Sequence, residues 1–138
     1  EIGKGIILKD PGKALYITTG VVTQLALKAS DVLQQKGILS GVLHMPTIKP
    51  LDKNILKKYV PEVDAIVVIE EHTRIGGLGS AILEFCNDEM PEQACKISRV
   101  GFPDYFADQY GSQNSLLEHW GITVENVAKI LEAKLENK

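Results

Sequence analysis

The sequence predicts an α/β fold in which helices cover both faces of a mostly parallel sheet. Short apolar runs, of which Ala65-Ile66-Val67-Val68-Ile69 is the clearest, alternate with stretches whose apolar residues recur at three- and four-residue steps. Uninterrupted β-branched runs are typical of strands buried on both faces, and strands joined by crossover helices form parallel sheets. The 138 residues, 44% of them hydrophobic, suffice for one domain with its own core.

The first three elements are two strands and a helix. The apolar runs at residues 5–8 and 14–18 flank Asp10-Pro11-Gly12, a turn sequence in which proline presets φ and glycine accepts a positive φ. We therefore expect an antiparallel hairpin at the start of the chain. An amphipathic helix over residues 21–36 should follow, with Gly37 as its stop.

The alternation continues through the rest of the chain. A strand at residues 41–44 precedes a short helix ending near Tyr59, for which Asp52 can serve as the N-cap. The strand at 65–69, a helix over 77–90 and a strand at 96–100 come next. A short helix near residues 115–119 and a final helix from about Val124, capped by Thr123, complete the prediction.

A glycine-rich segment joins the central strand to the next helix. It reads Glu70-Glu71-His72-Thr73-Arg74-Ile75-Gly76-Gly77-Leu78-Gly79-Ser80. Ligands often bind at the carboxyl end of a strand, because the N–H groups and dipole of the following helix attract anions. Glycines are equally required where a strand turns sharply into a helix. Ile82 occupies the third glycine position of a dinucleotide fingerprint, and no P-loop is present.

Residues near this segment offer little catalytic chemistry. Strand alternation places Glu70 and His72 on one side of the strand and Glu71 on the other, so a carboxylate could orient the imidazole. A contact at a domain or subunit boundary is the better interpretation of His72. Ser80 lacks the surroundings of a nucleophile elbow, and Cys86 is expected to be buried within its helix.

Composition excludes several classes of function. The formal net charge of −3 argues against general nucleic-acid binding, and no apolar run is long enough for a membrane span. His44, His72 and His119 fall on different elements without metal-ligand spacing, so we predict no metal site. Cys86 and Cys95 form no Cys-x-x-Cys pair, which favours unpaired thiols in the cytoplasm.

Two further features bear on organisation. Tyr105, Phe106, Tyr110 and Trp120 cluster around the short helix near residues 115–119. The aromatic cluster from Phe102 to Tyr110 lacks basic neighbours, and we expect it to form core or interface. The sequence begins at Glu1, so we expect residues 1–138 to be a single domain cut from a larger chain or subunit.

Several segments, taken in order, resemble one family. They are Glu1-Ile2-Gly3-Lys4-Gly5, Thr47-Ile48-Lys49-Pro50-Leu51-Asp52, the glycine-rich segment, Arg99-Val100-Gly101-Phe102-Pro103-Asp104-Tyr105-Phe106, Leu116-Leu117-Glu118 and Gly121-Ile122-Thr123-Val124-Glu125-Asn126. The chain resembles the carboxyl-terminal domain of transketolase and its thiamine-diphosphate relatives. The first two segments favour a transketolase, particularly one split into two subunits. The Lys-Pro-Leu-Asp segment also resembles a segment of 1-deoxyxylulose-5-phosphate synthase. The glycine-rich segment also resembles a loop in the beta subunits of 2-oxo acid dehydrogenases.

The resemblance implies a three-layer α/β/α domain with a five-stranded mixed sheet whose first strand is antiparallel. It implies an enzyme, a homodimer in its full form, that moves a two-carbon ketol unit between sugar phosphates using thiamine diphosphate and magnesium. Two other domains of that enzyme would hold the cofactor, so this domain should bind none, contain no catalytic residue and support assembly. The residues expected at an interface or a peripheral anion site are His72, Arg74, Gly76, Gly77, Gly79 and Ser80.

Two other functions stay open at this point. The loop at residues 76–80 could hold a phosphate or nucleotide, which would make the chain a binding module. The charged tail at residues 132–138 could instead dock onto an acyltransferase core, although a solvated final helix is the simpler interpretation.

Overall fold

A five-stranded sheet forms the centre of the computed structural model, which describes residues 1–104, 106 and 108–137. Its strands are β1 (Ile6–Lys9), β2 (Ala14–Thr18), β3 (Ser40–His44), β4 (Ala65–Thr73) and β5 (Ile97–Phe102). They lie in the order β1-β3-β2-β4-β5. All neighbouring pairs are parallel except β1 and β3. The predicted mostly parallel sheet with one antiparallel strand is confirmed.

Within the described residues, five α-helices flank the sheet, and a 3₁₀ turn at Pro91–Lys96 leads into β5. They are α1 (Val22–Gln35), α2 (Lys53–Tyr59), α3 (Leu78–Glu89), α4 (Gln113–His119) and α5 (Val124–Glu136). Both predicted side-chain caps are present: Asp52 accepts the N–H of Ile55, and Thr123 accepts the N–H of Asn126. Gly37 follows α1 with a φ of +80°.

Alternate side chains of the central strands enter two separate cores. Tyr16 of β2 and Val67 of β4 face α1 and α5, while Leu15 and Ile66 face α2 and α3. The buried hydroxyl of Tyr16 also donates to the carbonyl oxygen of Val127, which ties β2 to α5. The domain therefore has three layers, helix, sheet and helix, as the resemblance implied.

The expected hairpin between the first two strands is wrong. β1 pairs with β3 instead, and β3 lies between β1 and β2. The Asp10-Pro11-Gly12 segment passes across the start of β3, where a Cβ on Gly41 would lie 2.6 Å from the Cα of Pro11. All five residues of β2 are buried, because the strand has a parallel neighbour on each side and a helix layer over each face.

The central strand is longer than its apolar run. β4 continues through Thr73, so the connection to α3 begins at Arg74 rather than at Glu70. The register between β4 and β5 shifts between Ile69 and Thr73. Glu70, Glu71 and His72 are consequently strand residues at the end of the sheet.

The loops that follow β2, β3, β4 and β5 lie at one edge of the sheet. β2, β3, β4 and β5 run in the same direction, so their carboxyl ends meet at this carboxyl edge. β1 runs the opposite way and begins there, and the N–H of Gly3 donates to the Thr47 hydroxyl that follows β3, over 3.1 Å. Across the described part of the chain, no helix has the length and apolar character needed to cross a membrane.

Candidate functional site

The glycine-rich connection between β4 and α3 lies at the carboxyl edge. Its helix begins at Leu78, and Gly77 is the N-cap residue without a side chain to cap the helix. A helix N-terminus exposes N–H groups that need an acceptor. The position of the acceptor decides what this connection can bind.

Glu70 supplies that acceptor from within the chain. Its side chain is buried, and its carboxylate accepts the N–H of Leu78 over 2.6 Å and the N–H of Gly79 over 3.2 Å. A negative charge is favourable at this end of the helix dipole. The place where an external anion would sit on α3 is therefore filled by a side chain of the preceding strand.

Gly77 is required by the closeness of this contact. A Cβ at Gly77 would overlap the carboxylate of Glu70, although the φ of −93° at Gly77 suits any residue. On the other side of the carboxylate, a Cβ at Gly101 would lie 3.3 Å from Cγ of Glu70. The two glycines leave room for one buried carboxylate between β5 and α3.

Ser80 holds the loop closed. Its hydroxyl donates to the carbonyl oxygen of Arg74 over 2.9 Å and accepts the N–H of Gly76 over 3.1 Å. Nη1 of Arg99 on β5 donates to the same carbonyl oxygen over 3.1 Å and to the same hydroxyl over 3.2 Å. The aliphatic part of Arg99 passes close to Gly79, where a Cβ would lie 2.8 Å from Cδ.

Most of the residues predicted for an interface or anion site lie together in this loop, but His72 does not take part in its hydrogen bonds. Arg74, Gly76 and Ser80 belong to one hydrogen-bonded loop, and Gly77 and Gly79 form its helix end. His72 is exposed, and its Nδ1 lies 3.0 Å from the carbonyl oxygen of Thr73. No contact joins its imidazole to Glu70 among the described residues.

Two residues of the site were missed by sequence reasoning. The sequence predicts for Glu70 only an orienting contact with His72, and it indicates Arg99 only as part of a family segment. The signal for Glu70 is its place directly after the apolar run at residues 65–69 and six residues before the first of three glycines. Arg99 carried no local signal, because its loop partners are more than fifteen residues away.

The other histidines and the buried cysteine lie apart from this loop and from one another. His44 contacts the Thr23 hydroxyl at 3.0 Å, and His119 packs edge-on against Trp120. Within residues 1–104, 106 and 108–137, no three His, Cys, Asp or Glu side chains are placed to hold a metal ion. Cys86 is buried, as expected, and burial raises the pKa of its thiol, to which the charge of Glu92 adds.

Several exposed apolar side chains lie on the loops at the carboxyl edge. We call the following exposed residues the carboxyl-edge surface: Ile2, Val21, Ile48, Ile75, Phe106 and Tyr110. Phe106 is 97% and Tyr110 100% exposed, so these two aromatics are not core residues. Tyr105 of the predicted aromatic cluster, like Lys138 of the charged tail, lies outside the described residues. Gln113 at the start of α4 donates to the carboxylate of Glu71 over 2.8 Å, which keeps the segment before α4 at this edge.

Comparison with known proteins agrees with this architecture. The chain matches the model of the family described as "Transketolase, C-terminal domain" over residues 3–127. It is 38% identical over 129 residues to the 1-deoxy-D-xylulose-5-phosphate synthase of Heliobacterium modesticaldum, covering 94% of this chain and 20% of that protein. It is 36% identical over 138 residues to a protein of Methanocaldococcus jannaschii provisionally named as a transketolase C-terminal section, covering 100% of this chain and 42% of that protein.

Solved structures have the same fold. A chain described as "Split gene transketolase, inactive beta4 tetramer" superposes with a TM-score of 0.86 at 32% identity, over 97% of this chain and 43% of that one. A Pichia stipitis transketolase in complex with a sugar phosphate superposes with a TM-score of 0.67 at 19% identity, over 97% of this chain and 18% of that one, a likeness of fold. The chain thus spans less than half the length of these relatives, and it belongs to the transketolase C-terminal domain family.

Proposed function

We propose that this chain is the noncatalytic carboxyl-terminal domain of a thiamine-diphosphate-dependent enzyme of the transketolase type, and that it supports assembly of that enzyme. The complete enzyme would transfer a two-carbon ketol unit between sugar phosphates. The observation that carries the assembly role is the carboxyl-edge surface, because apolar side chains gathered on one face favour contact with another protein surface.

The glycine-rich loop fits an interface better than a cofactor site. The N–H groups of Gly76, Leu78 and Gly79 already donate to oxygen atoms of this chain, and the buried Glu70 carboxylate would repel a diphosphate. The diphosphate group of thiamine diphosphate therefore does not fit this loop. In our proposal the other domains of the enzyme hold thiamine diphosphate and magnesium, and the exposed side chains of His72 and Ile75 contact those domains.

Location and oligomeric state belong to the same proposal. Two unpaired cysteines favour a reducing compartment, so we place the enzyme in the cytoplasm. We propose that the complete enzyme is a homodimer in which this domain packs against the pyrimidine-binding domain and the second subunit.

A second candidate within the family is a 1-deoxyxylulose-5-phosphate synthase. The 38% identity to the Heliobacterium modesticaldum protein favours it, while the split-gene transketolase favours the first candidate. Both candidates give this domain the same assembly role. Assaying the complete enzyme for ketol transfer and for formation of 1-deoxyxylulose 5-phosphate distinguishes them, since each product excludes the other candidate as the main activity.

The assembly role can be tested with matched surface variants. Ile75→Ser and Phe106→Ser remove apolar side chains from the carboxyl-edge surface, whereas Leu39→Ser removes one that is 59% exposed at the opposite edge of the sheet. Burying one such side chain contributes about 1.5–3 kcal/mol, so each of the first two variants should weaken association with the thiamine-binding section about tenfold or more.

Analytical ultracentrifugation of this chain mixed with the thiamine-binding section measures their association. The ketol-transfer activity of the mixture is then assayed. Leu39→Ser should associate as the unmodified chain does. Equal association of all three variants, or ketol transfer by this chain alone, would contradict the proposal.

A further inference from the structure

Both arginines of this chain line the same pocket. Only Arg74 and Arg99 among its 15 basic residues are arginines. Their pocket has a volume of about 280 Å³ and lies along β5, where Gly101, Trp120 and Asn126 complete much of its wall. None of the residues that line it is an aspartate or a glutamate. Two positive charges therefore share one concave surface without an acidic neighbour in its wall.

The two guanidinium groups are held differently. Arg99 is fixed through Nη1 by the carbonyl oxygen of Arg74 and the hydroxyl of Ser80. The side chain of Arg74 forms no hydrogen bond or ion pair with any residue that the structure describes. By contrast, the described ion pairs are made by lysines, namely Lys9, Lys36, Lys53 and Lys57. Among the residues that the structure describes, neither arginine thus has a carboxylate partner.

This arrangement suits a doubly charged oxyanion. A guanidinium presents a planar set of N–H donors that matches two oxygen atoms of a phosphate, and two guanidinium groups match its two charges. A pocket of about 280 Å³ is at the lower end of the usual ligand-pocket range, which favours a small ligand over a whole nucleotide.

We propose that the pocket between Arg74 and Arg99 binds a phosphate group, either inorganic phosphate or the phosphate of a small monoester. It is distinct from the N-terminus of α3, which Glu70 fills. Arg74 is the main ligand, because its guanidinium makes no hydrogen bond or ion pair within the described part of the chain. Arg99 supplies the second charge from a fixed position. The inference does not depend on the assembly role.

Nuclear magnetic resonance titration of the ¹⁵N-labelled chain tests the proposal at constant ionic strength. The probes are inorganic phosphate, glycerol 3-phosphate and acetate. Both phosphates should cause saturable shifts of the Gly101 and Asn126 amides, and acetate should not. Tighter binding of glycerol 3-phosphate would identify a monoester as the ligand, and equal binding would mean that the phosphate group alone is recognised.

Arg74→Gln is the decisive variant, because it removes one charge without removing a described hydrogen bond. Loss of a charge-assisted contact should weaken phosphate binding about tenfold. Lys129→Gln makes the same charge change at an exposed position of α5 outside the pocket, and it should bind as the unmodified chain does.

Three results would overturn the proposal. They are shifts that do not saturate, acetate binding equal to phosphate binding, and equal weakening by Arg74→Gln and Lys129→Gln. Each result is separate from the association measurement, so the assembly role stands or fails independently.

Discussion

The buried carboxylate of Glu70 accepts a hydrogen bond of 2.6 Å from the backbone N–H of Leu78 in the first turn of α3. A side chain at the end of β4 therefore stabilises the N-terminus of the helix that follows it. The same contact ties together two elements joined by a loop of only four residues, Arg74, Ile75, Gly76 and Gly77. The carboxylate of Glu70 therefore links β4 directly to α3 at the carboxyl edge.

Replacing Glu70 by glutamine should destabilise the fold. The amide keeps one acceptor oxygen but places an NH₂ group where the carboxylate accepts a second N–H. An unsatisfied buried polar group costs about 1–3 kcal/mol of unfolding free energy, measurable by urea denaturation. Glu71→Gln is the control, because Glu71 is only partly buried and contacts the Gln113 side chain. An equal loss in both variants would refute a special role of Glu70.

Alanine at Gly77 should be costly because of packing, and alanine at Gly76 because of backbone conformation. The new Cβ at position 77 meets the Glu70 carboxylate, at a cost of about 1–3 kcal/mol. At position 76 the Cβ meets nothing, but the φ of +78° costs about 1–2 kcal/mol. In a Glu70→Ala background the cost at position 77 should fall while that at position 76 stays constant. Unfolding free energies of the double variants provide the measurement, and additive costs at position 77 would contradict this account.

Asp52 should make the free energy of unfolding depend on pH in the acidic range. Burial opposes its ionisation, but the N–H groups of Gly5 and Ile55 that donate to its carboxylate hold its pKa below the ordinary value. A lowered pKa stabilises the fold above pH of about 4, and this stabilisation is lost as the pH falls through the folded-state pKa. The stability difference between the unmodified chain and Asp52→Asn should therefore shrink on acidification.

Asp52→Ala removes the cap as well as the charge and should cost about 1–2 kcal/mol at neutral pH. Glu62→Gln, at an exposed position, is the control and should differ little from the unmodified chain at any pH. Thermal unfolding between neutral and strongly acidic pH measures these differences. A gap that widens on acidification would have the wrong sign.

The two cysteines should react at very different rates. Cys95 is exposed, whereas Cys86 is buried and has a thiol pKa raised by burial and by Glu92. Because the thiolate is the reactive form, a disulfide reagent should modify one thiol quickly in the folded chain and a second only in urea. Cys95→Ser should abolish the rapid phase. A rapid phase that persists in this variant would mean that α3 opens readily.

The helices could be predicted because their determinants are local. Asp52 and Thr123 each accept an N–H three residues later, so a short sequence window contains both partners. The partner of β1 is not local. The turn sequence at residues 10–12 predicts a hairpin, whereas β2 lies between β3 and β4, which are distant in the chain.

The contacts of Glu70 and Arg99 in the candidate site could not be predicted, because they form only in the tertiary structure. A glutamate is rarely buried, and the predicted strand at residues 65–69 ends just before Glu70. Its burial becomes favourable only once the N–H groups of Leu78 and Gly79 lie beside it. Arg99 meets Arg74 and Ser80 only when β5 pairs with β4, which no sequence window contains.

The pairing of β1 with β3 also determines the order in which the sheet can form. β1 precedes β3 in the chain and pairs only with it, so β1 can join the sheet only once residues 40–44 are available. As an edge strand it can also detach while the pairing of β2 with β4 persists. Amide hydrogens of β1 should therefore exchange with solvent by local opening, and those of β2 only when the whole domain unfolds.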